Sequence, residues 1–143
     1  MVLATSLLAI LIMMATPVVR NNIQRQREIE LRQALRQMRR AIDEYHDRCK
    51  AGEFQADNDL NKICYPPDMD TLLNGVDKHD ANRTKIRFLR RLPIDPMTGE
   101  AKWGLRSTQD DADATSWGGD NVWDVYSESN AQSLDGKSHY NEW

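Results

Sequence analysis

The residues able to do chemistry are two cysteines, three histidines and a late acidic run. Cys49 and Cys64 lie fifteen positions apart, with no C-x-x-C spacing and no histidine pair beside them. A zinc site needs about four ligands, so the pair reads as a disulfide in an oxidising compartment, or as two free buried thiols. His46, His79 and His139 are scattered and match no triad or metal spacing, which suits solvated surface positions and indicates no enzyme. In QDDADATSWGGD the carboxylates of Asp110, Asp111 and Asp113 lack the Gly at six and Glu at twelve of an EF-hand. A solvated insertion is the expectation. Asn82-Arg83-Thr84 fits a glycosylation sequon, but the pattern is short and common, and falls beside a stretch with helical spacing. Trp103, Trp117, Trp123 and Trp143 offer aromatic area that suits packing of a small head better than ligand binding.

At 143 residues the chain has room for one modest domain and an appendage. Net charge is only −3, yet the signs separate. Arg20, Arg25, Arg27, Arg32, Arg36, Arg39 and Arg40 crowd one segment, while Asp110, Asp111, Asp113, Asp120 and Asp124 gather late. That asymmetry suits head-to-stem contacts between subunits; nucleic acid wants a continuous basic face and is not expected as a partner.

The element that must carry all this begins MVLATSLLAILIMMATPVVRNN, interrupted up to Val19 only by Thr5, Ser6, Thr16 and Pro17. A cleaved export signal would have a positive start and a shorter apolar run, so that reading is rejected. Roughly twenty apolar residues match the hydrocarbon thickness of a membrane, and Pro17 reads as a kink. Beyond it Leu31, Leu35, Met38, Ile42, Tyr45 and Cys49 recur at helical spacing, with Gly52 as the stop. The expectation is one helix of about 75 Å, apolar over 1–19 and amphipathic over 20–51, carrying a head over 52–143. The arginines alternate with Glu28, Glu30, Asp43 and Glu44, so they read as a mixed-charge face more than as a topology signal.

In the head, EFQADNDLNK is expected as a polar surface loop between the cysteines, and PPDMD starts a short helix over about 68–73 that Asn74-Gly75 ends. Thr84 to Arg91 also has helical spacing through Ile86 and Leu89, stopped by Leu92-Pro93. Two or three short antiparallel strands should follow, with a turn at Met97-Thr98-Gly99, packed on the upper half of the long helix in an α+β fold.

This order of parts, with YPP before the short helix, RFLRRLPIDPMTG and a last Trp143, resembles the type IV pilin-like proteins, most closely the major pseudopilin of type II secretion systems. Leu92, Pro93, Asp95 and Pro96 match that family's LxxLPxDPWGxP stretch, with Met97-Thr98 where Trp-Gly is usual. The resemblance implies the type IV pilin fold and a subunit of a helical homopolymer. Leu3, Leu7, Leu8, Ile10, Leu11, Met14 and Pro17 would lie in the inner membrane before assembly, the head in the periplasm. They would pack the core of a periplasmic or extracellular filament afterwards. Minor pseudopilins and the secretion machinery are the further partners it implies. Family members carry a methylated Phe and a Glu ahead of the position that Met1 takes when Pro17 is aligned. The family also binds calcium in its last loop, for which Glu128, Ser129, Asn130 and Asp135 offer oxygens here. A surface pilus for adhesion or motility, and a monomeric single-pass anchored binding domain, are the alternative readings.

Overall fold

A computed structural model describes residues 2–55 and 63–143, with only the backbone for 2–19. Helix α1 runs Val2–Lys50 through Pro17 without interruption, about 73 Å at 1.5 Å per residue. From Arg20 onward it is built of Arg, Gln, Glu, Leu, Ala and Met, strong helix formers with few β-branched residues among them. It stops at Gly52, whose φ of +74° turns the chain so that the Glu53 N–H reaches the Arg48 carbonyl. The side chains of the apolar segment lie outside the described residues, including Leu3, Leu7, Leu8, Ile10, Leu11, Met14 and Pro17. Among the described residues no helix is long and apolar enough to cross a membrane.

The expected stripe is the spine of the core. Leu31, Leu35, Met38, Ile42 and Tyr45 are all essentially inaccessible, and Cys49 closes the row. Each such side chain contributes roughly 1.5–3 kcal/mol by leaving water. They pack against Leu72 of α2 (Met69–Asn74), Val122, and Val125 of β4 (Asp124–Tyr126). Tyr45 also meets Phe54 and Phe88 with ring centroids 4.9 and 5.2 Å away. Phe54 is thus buried, although its neighbours made the segment read as too polar to bury; residues 56–62 lie outside the described residues.

Helix α2 begins as expected. Asp68 caps it, accepting from the Thr71 N–H at 2.7 Å, and Gly75 at φ +80° ends it. The 84–91 segment is not helical. Lys85–Ile86 forms β2, pairing antiparallel with β1 (Val76–Asp77), and the Phe88 and Leu89 N–H groups then donate to the Leu72 carbonyl. The open end of α2 takes the donors that a second helix would have used on itself. A second antiparallel pair joins β3 (Gly104–Arg106) to β4, with Gly104 opposite Tyr126. A Cβ at Gly104 would sit 2.2 Å from the Tyr126 ring, so only glycine lets the ring cross. The fold is therefore α+β: one long helix and two small antiparallel ribbons, of which β3–β4 lies on α1.

Cys49 and Cys64 form a disulfide. The bond ties the end of α1 to the chain entering α2. Replacing both cysteines with serine should lower unfolding free energy by about 3 kcal/mol in urea titration, as expected for a loop of this length. Unfolding at an unchanged midpoint, or thiol labelling of both cysteines in the unreduced, denatured protein, would contradict the bond.

Candidate functional site

The polar contacts that fix the head on its stem converge on Asp124. Its Oδ1 accepts from Arg39 Nε at 2.7 Å, and its Oδ2 lies 3.5 Å from Arg106 Nη1. Arg39 comes from α1 and Arg106 from β3, so one carboxylate on β4 joins helix to sheet. Arg39 Nη2 also donates to the carbonyls of Val125 and Trp143, at 3.1 and 2.8 Å. Arg106 is almost fully buried, with its guanidinium 4.1 Å from the Tyr126 ring centroid and Nε donating to the Ala114 carbonyl. A planar fork with five donors can serve all these acceptors, which an ammonium could not.

Below this node the last seventeen residues clasp the same helix face. Gln24, Glu28 and Arg32 stand one turn apart. Tyr140 Oη donates to Glu28 Oε1 at 2.9 Å and accepts from Gln24 Nε2 at 2.8 Å. Glu28 also accepts from the Leu134 N–H, and Arg32 lies over the Trp143 ring at 4.3 Å. Burial raises the Tyr140 hydroxyl pKa above its usual value, against the Gln24 hydrogen bond, which lowers it. These residues were read from sequence only as a mixed-charge face. No sequence signal tied them to the head.

The LPIDP stretch is held by Asp95. Its carboxylate is wholly buried, accepting from Ser127 Oγ at 2.6 Å and from the Met97 N–H at 2.8 Å, while its carbonyl takes the Gly99 N–H of the expected turn. Pro93 offers its carbonyl to Trp103 Nε1 at 2.9 Å, and Leu92 and Pro96 are half-buried. Leu92, Pro93, Asp95 and Pro96 thus have a packing role, locking the turn to the end of β4.

The acidic run is solvated as expected, exposed over 111–120 except at Ala114, and it is closed by hydrogen bonds of its own. Asp110 Oδ2 accepts from the N–H groups of Ser107 and Gly118 at 2.7 and 3.1 Å, closing the loop on itself. Buried Asn121 pairs with Thr108 across the loop, and Trp117 Nε1 donates to the Asn121 carbonyl. The tryptophans divide: Trp103 is buried, Trp143 stacks at the clasp, and Trp117 and Trp123 are exposed. His79 and His139 are exposed as expected. His46 is half-buried, stacked on Tyr65 at 4.2 Å with Nδ1 2.8 Å from the Cys64 carbonyl. Asn82 lies in an exposed turn.

The oxygens assigned to calcium by resemblance are engaged with protein. Glu128 pairs with Lys102 at 2.8 Å, Asn130 Oδ1 accepts from Asn141, Ser129 Oγ from the Ala131 N–H, and Asp135 from Ser133 Oγ and the Lys137 N–H. Among the described residues Asn141 Oδ1 is a buried acceptor without a donor, and no group of three His, Cys, Asp or Glu could hold a metal. A cation bound at Glu128 would have to compete with Lys102 for its carboxylate.

The chain matches no protein-family model, no curated protein and no solved structure.

The Ser107 N–H, ahead of that of Gly118, holds the Asp110 carboxyl below the usual 3.8. A depressed folded pKa means stabilisation present above about pH 3.8 and lost as pH falls through the folded value. The Ser107 and Gly118 amide resonances should therefore titrate together with a midpoint below 3.8, and not at all in Asp110→Asn. A midpoint at or above 3.8 would contradict the loop closure.

Proposed function

We propose that this chain is a structural subunit with the type IV pilin fold, which polymerises into a helical filament of the type II secretion pseudopilus kind. One observation carries the reading: among the described residues the head's contacts with α1 begin at Gln24, leaving the helix to run on toward Val2 as a stem. The residues of that stem are the apolar ones of the sequence. A stem of this kind rests in the inner membrane before assembly and against neighbouring stems afterwards. The exchange costs little because both surroundings are apolar, so packing and polar pairs select the register.

Subunits stacked with one translation and rotation make a heterologous contact that does not close, hence an open helix. The clasp refines which charges serve that contact. Glu28, Arg32 and Arg39 are used within the subunit, so inter-subunit pairs fall to the arginines on the other faces. Growth of such a fibre would push folded cargo outward, with minor subunits at its tip and secretion machinery at its base. Calcium enters this proposal only as an exchange ligand of the last loop.

Material sheared from cells that produce the protein should contain fibres in electron micrographs, with this chain as their main component. Protein extracted in detergent that stays monomeric, with no fibre at any expression level, would sink the filament reading.

A further inference from the structure

The arginines left unused by the clasp lie along one groove. Arg36 and Arg40 of α1 line a cavity of about 450 Å³ with Phe88 in its wall, and Arg91 lines a second of about 380 Å³ that shares Gln33 and Gln37 with the first and includes Ile94, 65% exposed. Among the described residues none of these three arginines has a carboxylate partner. Two acids border the groove: Glu44, already paired with Arg48 at 2.8 Å, and Glu30 in the wall of the Arg91 cavity, which accepts from Gln26 Nε2 at 3.1 Å, so the three arginines outnumber them. Beyond Arg40 the helix turns acidic at Asp43 and Asp47, which bounds the cationic part.

A complementary surface lies elsewhere on the same chain. The 107–120 loop, closed on Asp110, presents Asp111 and Asp113, neither with an ion-pair partner among the described residues. Trp117 of the same loop and Trp123 after it are 39% and 45% exposed. Within this loop the Ala114 carbonyl accepts from Arg106, the Thr108 N–H donates to Asn121 and Trp117 Nε1 donates to the Asn121 carbonyl.

We propose that the groove receives the 107–120 loop of a second copy of this chain, an inference that rests on the filament reading and names its head-to-head contact. Asp111 and Asp113 then face Arg36, Arg40 and Arg91, and an indole can lie on a guanidinium plane. Opposite charge guides the encounter and sets the register, and Ile94 and Phe88 supply apolar area for the tryptophans.

The test is sedimentation velocity of the full chain in detergent at low and high salt, with charge reversals on each side. Arg40→Glu with Arg91→Glu, and separately Asp111→Lys with Asp113→Lys, should each weaken self-association by about tenfold or more. High salt should weaken the original protein in the same way. An equimolar mixture of the two variants, or all four changes in one chain, should restore association, which a folding defect could not produce. Reversed variants that associate like the original, a mixture that stays dissociated, or an original protein monomeric at low salt would overturn the contact. Fibres persisting in the reversed variants would overturn it while sparing the filament reading. Charge-dependent association into small closed oligomers without fibres would support the groove and remove the filament.

Discussion

The head sits on its stem through one carboxylate shared by two arginines. Asp124 is four-fifths buried on β4, Arg106 almost fully buried beneath it, and Arg39 half-exposed on the helix above. Two guanidinium groups against one carboxylate leave a local positive excess, which the Ala114, Val125, Asn141 and Trp143 carbonyls and the Tyr126 ring offset. A buried ion pair is seldom a large net source of stability, because desolvation opposes the attraction. Its value lies in specificity: an apolar stripe alone would let the sheet slide along α1, whereas Asp124 fixes one register. The clasp of residues 127–143 keeps the same register, with Tyr140 on Glu28 and Trp143 under Arg32 while Asp124 is on Arg39.

The helix consequently has three jobs on three faces. One face is the apolar spine of Leu31, Leu35, Met38, Ile42 and Tyr45. Beside it the face with Gln24, Glu28, Arg32 and Arg39 binds the chain's last residues. The remaining face, with Gln33, Gln37 and Arg40 and with Arg36 at its border with the clasp, lines a cavity against Phe88. A stem with one face unspent is the arrangement a repeating assembly needs, because contacts satisfied internally cannot also join copies.

How much of this was legible in the sequence depended on the range of the interaction. The stripe and the Gly52 stop declare themselves through local periodicity, and Asp68 through the identity of a single cap. The 84–91 segment failed because Ile86 and Leu89 fit a helix as well as they fit a short strand followed by a bend. The open carbonyl end of α2, seventeen residues back, decided between them. Asp110 looked like one member of a solvated run, and only the fold reveals that its oxygen closes the loop. Asp95 was named by the LPIDP resemblance without a role, and the structure supplies one as a buried turn anchor. The Asp124 node joins positions 39, 106 and 124, so no local pattern could have announced it.

The division of the helix faces is tested most directly by amide hydrogen exchange on the full chain, comparing Arg39→Met with Arg36→Met. Both arginines line a cavity beside Trp143, and they differ in their contacts: Arg39 binds Asp124 and the Val125 and Trp143 carbonyls, whereas Arg36 has no carboxylate partner among the described residues. Release of residues 124–143 in the Arg39 variant, with protection retained in the Arg36 variant, is the predicted result. Equal protection of that segment in both proteins would contradict the account.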